Sequence, residues 1–291
     1  MNFKEIKKVL LWILVLNWLV AFTKIFIGFS TGTLSILTDG LHSLFDGVTN
    51  IVGIFGIKLA EKPADKDHPY GHRKYEAIAS MVILFFLAIT AYEVSKNIIN
   101  RLLHSSIIDI DWFVFGVLAF CLVADYFVAR YEYRKGQELK SVILKADSSH
   151  TKSHYITTGA VILGALLMKL GAPSMIDPII AVFVVMFVFK LGYDIFKETT
   201  AVLSDKAFIE EERIKEIVEK ICGSGSCHEI RTRGDENHIF MDLRIVFNEH
   251  MTLSEVHKIC DQLEERIRAE IPEIKDITVH PEPGEEAAHD C

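Results

Sequence analysis

Residues 34–60 read LSILTDGLHSLFDGVTNIVGIFGIKLA, and the reading of this stretch decides the fold. It is long enough to cross a bilayer, because about 20 predominantly apolar residues span a hydrocarbon core of ~30 Å. Yet it carries His42 and Asp46 at i, i+4, so on a helix both point the same way. A second long stretch, residues 142–170, carries His150 and His154 at the same spacing. One intramembrane histidine is explained by a hydrogen bond to a neighbouring helix. Two such pairs on separate spans are not. A charge at mid-membrane costs at least ~2.5–3.5 kcal/mol, so convergence on a shared cation is the simpler account. Three imidazoles and one carboxylate suit a tetrahedral divalent ion such as zinc. The pattern predicts passage of a divalent transition metal through a membrane.

Working outward, six spans are predicted, at about 9–29, 34–60, 78–100, 111–133, 142–170 and 177–199. The second and fifth are the least apolar, and their Gly, Ser and Thr residues allow close helix approach. Half of the 291 residues are hydrophobic. The mean hydropathy is +0.28, and charges concentrate after Leu203. The N-terminal apolar run continues to Phe29 with no small-residue cleavage site, so it reads as a first span and not as a signal peptide. Basic residues gather at the N-terminus, between the second and third spans (Lys62, Lys66, Arg73, Lys74) and between the fourth and fifth (Arg134, Lys135, Lys140). The positive-inside rule then places both termini in the cytoplasm of a multi-pass protein of the cell membrane.

After Asp205 the pattern becomes that of a small soluble domain. A helix is predicted over 208–221 and strands over 228–234 and 238–248, around a turn at Gly234-Asp235-Glu236-Asn237. A second helix follows over 252–270, with Thr252 and Glu255 as a capping box, and a last strand over 275–282. The expected fold is thus an α-helical membrane protein with six transmembrane helices (1–204). A cytoplasmic α+β domain of αββαβ, metallochaperone-like order (205–283) and a short disordered acidic tail (284–291) complete it. The net charge of −8, with no basic patch, argues against nucleic acid as a partner. The five cysteines, Cys121, Cys222, Cys227, Cys260 and Cys291, show no C-x-x-C spacing and read as reduced. Cys222, Cys227 and His228 could bind metal, though separate loop and strand positions account for them more simply.

Asp39 and Asp147 each precede the first histidine of their stretch by three residues. They are either outer partners fixing the imidazole tautomers or water-facing residues at a cavity mouth, and the residues leave both open. Asp125 stands alone in the fourth span and Lys24 in the first, the latter expected to snorkel or to meet a polar cavity.

Thr38-Asp39-Gly40-Leu41-His42-Ser43-Leu44-Phe45-Asp46 resembles the second-helix motif of the cation diffusion facilitator family. Ala146-Asp147-Ser148-Ser149-His150 resembles its fifth-helix motif, and His68-Pro69-Tyr70-Gly71-His72 the loop after its second helix. The resemblance covers essentially the whole chain. It implies a homodimer in the lipid bilayer that exports zinc and related divalent ions in exchange for protons. It implies a transport site of His42, Asp46, His150 and His154, and a loop metal site of Asp65, His68 and His72, which on the residues alone is equally a solvated polar loop. It also implies a cytoplasmic-domain metal site drawn from His228, His257, His280 and Glu282, whose spacing alone does not distinguish them from surface residues. Lys74 and Asp205 match a pair that ties helices or protomers together near the membrane face.

There are two departures from the family pattern. His154 stands where the family usually has aspartate. A nitrogen-rich site favours zinc, with cobalt, nickel, iron(II) and cadmium as alternatives, over manganese and magnesium, which prefer oxygen. It also changes the number of groups that can hold protons near neutral pH. Arg244 stands where the family's zinc antiporters carry a histidine ligand. A fixed cation there opposes metal, so one ion per protomer or weaker binding is expected, with Asp242 nearby as compensation.

The expected mechanism follows from ligand chemistry. Metal binds only deprotonated ligands, so an inward proton gradient drives metal outward if one site faces the two sides alternately. An intramembrane metal hydrolase would need a general base beside an open coordination position, as in H-E-x-x-H, and that motif is absent. A metal sensor anchored by its spans would not need intramembrane ligands. The sequence is therefore read as that of a transporter and not of an enzyme.

Overall fold

The computed structural model describes residues 2–31, 34–103, 112–173, 176–223 and 227–284. Six long helices come first: α1 (Phe3–Thr31), α2 (Leu34–Ala60), α3 (Lys74–Leu103), α4 (Trp112–Glu138), α5 (Val142–Lys169) and α6 (Ile176–Leu203). The shortest have 27 residues, about 40 Å at 1.5 Å per residue, which exceeds the hydrocarbon thickness. Among the described residues, Phe3–Ile27 and Lys74–Glu93 are apolar enough to span a membrane on composition alone. The outer surface extends the argument to α4 and α6. Phe26, Phe85, Phe127, Phe183 and Phe189, from α1, α3, α4 and α6, are each more than 60% exposed. Such a girdle of exposed rings is unfavourable against water and ordinary against lipid.

The chain divides into two compact units, 2–200 and 201–291. In the first, α1 packs on α2, α2 on α3 and α5, α3 on α5, and α4 on α5 and α1. Glycines permit the closest approaches. A Cβ on Gly40 would stand 2.8 Å from the Ile25 backbone nitrogen, and Cβ atoms on Gly53 and Gly56 would lie 3.7 and 3.2 Å from Ile143 Cδ1. The polar ends are tied as well. Glu76, buried at the start of α3, accepts from Ser141 Oγ at 2.6 Å and the Ile143 N–H at 3.4 Å, placing an anion at the N-terminus of α5. Lys24 does not snorkel. It is 5% exposed and donates to Ser43 Oγ on α2 at 2.9 Å.

The second unit contains α7 (Glu211–Cys222), β1 (Cys227–Asp235), β2 (His238–Phe247), α8 (Leu253–Glu270) and β3 (Ile274–Pro283). The strands lie in the order β1-β2-β3, with β1–β2 antiparallel and β2–β3 parallel. Alternate residues of β2, Ile239, Met241, Leu243, Ile245 and Phe247, are buried, and they join Ile214, Val218, Leu263 and Ile267 of the two helices in one core. The other face of β2 carries the polar positions Asp242 and Arg244. The expected capping box forms: the Glu255 N–H donates to Thr252 Oγ1 at 3.3 Å, and Glu255 Oε2 accepts from the Thr252 N–H at 2.8 Å. The turn between β1 and β2 is the two residues Glu236 and Asn237, shorter than expected, because Gly234 and Asp235 still pair with Ile239 and His238. Gly234, at φ 120°, accepts the close approach of the His238 carbonyl there. Cys222 ends α7 and Cys227 opens β1, both against the core. Burial raises both thiols, that of Cys227 to about 11, and both pack as small hydrophobes. The expected tail lies outside the described residues from 285 onward.

Candidate metal centres

α5 carries His150 and His154 on one face, with ring centroids 4.9 Å apart at an interplanar angle of 56°. His150 is 4% exposed and His154 half-buried. His42 and Asp46 fall within α2, as does Asp39, but their side chains lie outside the described residues. What joins α2 to α5 is Asp147. One of its oxygens accepts from Thr49 Oγ1 at 2.9 Å and the other from Asn50 Nδ2. Asn50 Oδ1 in turn accepts from Asn17 Nδ2 on α1 at 3.0 Å. Asp147 is 1% exposed, so it faces the bundle interior and not a water-filled mouth.

Asn50 follows Asp46 by one turn, and His150 follows Asp147 by one turn. The helices run antiparallel. Thr49 and Asn50 meet Asp147, whereas the later Gly53 and Gly56 approach the earlier Ile143.

The loop after α2 forms a compact ligand set. One oxygen of Asp65 lies 3.6 Å from His68 Nδ1 and the other 3.4 Å from His72 Nε2. The three ligand atoms all lie within 4.8 Å of one another, the one such group of three among the described residues. A tetrahedral zinc with bonds of 2.0–2.2 Å separates its ligand atoms by about 3.4 Å, so the loop needs little adjustment. His72 is oriented for the task. Its Nδ1 lies 3.1 Å from the Pro63 carbonyl, which can only accept, so Nδ1 carries the proton and Nε2 presents its lone pair. Tyr75 stacks on the same ring, with centroids 5.7 Å apart. The backbone N–H of His68, followed by that of Asp67, holds the Asp65 carboxyl below the usual carboxylate range. The tight turn at 68–71 needs Gly71, at φ 85°.

In the second unit, strand register lines up His228, Arg244 and His280 across β1, β2 and β3. Arg244 takes the middle of the row. Its guanidinium lies 2.9 Å from Glu282 and 3.1 Å from Glu229, and His228 Nε2 lies 2.9 Å from Glu282. His280 Nε2 is 4.0 Å from Glu282. His257 pairs instead with Asp261 on the exposed side of α8 at 3.6 Å. The four expected ligands thus form no converging group of three among the described residues. Asp242 pairs with Arg233 at 3.4 Å. Lys74 opens α3, and Asp205, at φ 55°, follows α6; the two belong to different compact units.

The residues that sequence reasoning missed are Thr49, Asn50 and Glu132. Asn50 follows Asp46 by four residues and Glu132 follows Asp125 by seven, so helical spacing alone could have put each on a polar face. Glu132 on α4 has no exposed surface, and neither of its carboxyl oxygens has a hydrogen-bond partner of good geometry. Its acidic neighbours are Asp147 and Asp125.

Residues 10–204 match the cation efflux transmembrane domain, and residues 208–284 match the cytoplasmic domain of cation efflux proteins. An uncharacterized transporter of Methanocaldococcus jannaschii is 32% identical over 88% of this chain and 91% of its own length. The manganese efflux system protein MneS of Bacillus subtilis is 26% identical, covering 90% of each chain. The cation-efflux pump FieF of Pectobacterium atrosepticum is 27% identical over 89% of this chain and 87% of its own. Among solved structures, the copper form of the MamM CTD is 25% identical and covers 25% of this chain and 80% of its own, with a TM-score of 0.24. A helical membrane domain that buries acids and histidines between its helices, followed by a small α+β domain, is the build of a cation carrier. The chain belongs to the cation diffusion facilitator family and is a cation efflux transporter, not an enzyme.

Proposed function

We propose that this transporter exports zinc in exchange for protons. It does so as a homodimer of the cell membrane with both termini in the cytoplasm, and the transported ion is held by His42, Asp46, His150 and His154. The observation that carries the reading is the register of α2 against α5. Thr49 and Asn50 meet Asp147 across antiparallel helices. One turn further along each helix, position 46 comes level with position 150, and a second turn brings 42 level with 154. Asp147 is held by α2 donors, and it braces the helix one turn below His150 as an outer partner. Asp39 is the candidate for the same role on α2. Three nitrogens and one oxygen favour zinc, and cobalt, nickel, iron(II) and cadmium share that preference over manganese.

Asp65, His68 and His72 form a second, loop-borne zinc site. Because the backbone N–H groups hold the Asp65 carboxyl below the usual carboxylate range, Asp65 does not set the pH at which the loop releases zinc. Asp65→Asn is expected to weaken loop binding by a similar factor at every pH between about 6 and 8, and not to move the midpoint. Equilibrium dialysis against zinc at several pH values checks this.

In the cytoplasmic domain Arg244 supplies the positive charge that a metal would bring to His228 and Glu282. Zinc there, with help from His280 and His257, is therefore weaker than in relatives with a histidine at that position. Arg244→His is expected to tighten zinc binding at this site by at least about tenfold, since a fixed charge and one missing ligand are both corrected. Unchanged zinc binding would remove Arg244 from the account.

The test of the whole reading is flux through purified protein in vesicles under an imposed pH gradient, with Zn, Co, Ni, Fe(II), Cd and Mn compared. Zinc accumulation that follows the gradient and collapses when it is dissipated supports the reading. Flux indifferent to the gradient overturns the exchange, and flux of manganese above zinc overturns the substrate.

A further inference from the structure

We propose that Glu132 and Asp147 form a proton-holding carboxyl pair, distinct from the metal ligands, and that metal binding one turn away on α5 expels its proton. This rests on the reading of the protein as a proton-coupled exchanger and adds a proton carrier to it. The argument begins with burial. Glu132 has no exposed surface and Asp147 has 1%. Ser148 Oγ donates to the Ala129 carbonyl at 3.0 Å, which ties α5 to α4 beside the two acids. Two ionised carboxylates acting on each other at that depth repel with no solvent to screen them, so the pair holds at least one proton.

The surroundings decide which member carries it. Both oxygens of Asp147 already accept from α2, one from Thr49 Oγ1 and one from Asn50 Nδ2. Asp147 is thus built as the ionised partner. Neither oxygen of Glu132 accepts a hydrogen bond of good geometry, and the Thr151 hydroxyl is the donor that lies beside it. The hydroxyl of Thr151 beside it gives its proton to the Asp147 backbone carbonyl at 3.2 Å. A protonated Glu132 donating to Asp147 satisfies both groups.

Among the described residues no Lys, Arg or His forms an ion pair with Glu132. On α5, Lys145, whose stem lies against Gly136 of α4, pairs with Glu198 at 3.2 Å, and Lys152 lies over the Phe187 ring. α4 packs on α5 and α1. Asp147 on α5 and, more weakly, Asp125 on α4 itself act on Glu132, and both are acidic. The nearby cations of α4 are engaged elsewhere. Arg134 pairs with Glu138 at 2.9 Å, and Lys135 reaches Glu138 at 2.8 Å and Glu5 of α1 at 3.4 Å. Arg130 is exposed.

Coupling to metal follows from position. Asp147 lies three residues before His150, so a divalent charge arriving at His150 sits one helical turn from the pair. In a site of low dielectric that charge favours the doubly ionised pair. The step balances as one cation bound and one proton released to solvent, with Glu132 passing from acid to carboxylate. Return of the proton favours loss of the metal. The polar chain Asn17–Asn50–Asp147 links α1, α2 and α5 to this event.

Glu132→Gln tests the pair, because the amide keeps the shape and a donor for Asp147 but cannot lose a proton. Zinc is the probe, and protons released on binding are counted by calorimetry in buffers of different ionisation enthalpy. The expected result is about one proton fewer per protomer than in the wild type, with a correspondingly shallower pH dependence of zinc affinity. Equal proton release in the two proteins overturns the proposal while leaving exchange intact. Loss of gradient-driven flux in the wild type overturns exchange itself. Infrared spectroscopy of the wild-type protein does not depend on the variant folding. A protonated-carboxyl stretch that shifts in Glu132→Asp and disappears on zinc binding supports the pair, and a stretch that is absent, or persists with zinc bound, overturns it.

Discussion

His150→Ala is expected to stop zinc transport. The imidazole is 4% exposed on the α5 face that also carries His154, and Asp147 fixes that face against α2 one turn away. Loss of an outer partner alone costs 10–100-fold in metal affinity, so loss of a direct ligand lowers zinc affinity by at least ~100-fold. Flux in vesicles falls to the protein-free background. Asp46→Ala has the same effect, because the remaining imidazoles carry no negative charge to offset the ion. Elution as the wild-type oligomer separates loss of the site from loss of the fold. Transport by either variant at the wild-type rate removes that residue from the site.

His154→Asp is expected to keep transport and to change the preferred metal. A second carboxylate makes the empty site more negative and adds a hard oxygen, which suits manganese better than imidazole does. The ratio of manganese to zinc transport rises by on the order of tenfold, the equivalent of ~1.4 kcal/mol of differential binding. The number of protons exchanged changes as well, because an imidazole is replaced by a carboxyl, a class of group whose ordinary range lies well below that of imidazole. Competition of manganese against zinc flux in the two proteins reads the first effect, and the pH profile of zinc flux reads the second. A competition ratio unchanged by the substitution would mean that position 154 does not touch the ion.

Much of the fold was legible because strong local patterns and tertiary needs agree. Thr252 and Glu255 announced the start of α8, and the alternation from His238 to Phe247 announced β2 with its buried face. Helix ends in the membrane domain were less legible. α3 begins at Lys74 and α4 runs to Glu138, several residues beyond the apolar stretches, because helices continue past the hydrocarbon into water where charge costs nothing. The loop site was legible as residue types but not as a site. Its convergence depends on the positive φ of Gly71 and on the Pro63 carbonyl that turns His72. Glu132 escaped notice because it sits beside Arg130, Arg134 and Lys135, a context that reads as the wet end of a span. Only packing against α5 shows that its side chain turns inward. In the cytoplasmic domain the strand order brings His228 and His280 to either side of Arg244, while His257 lies on α8 with its own partner. Spacing along the chain carries no information about that separation.

The claim that four side chains of α2 and α5 share one ion within the bilayer is tested most directly by zinc K-edge absorption. The sample is protein carrying His72→Ala and Asp65→Asn, so that the loop ligand set is removed. The account predicts one tightly held zinc per protomer with four nitrogen or oxygen neighbours and the outer-sphere scattering of three imidazoles, reduced to two in His154→Asp. A zinc with water-like coordination, or with an imidazole count unmoved by substitution at 154, would contradict it.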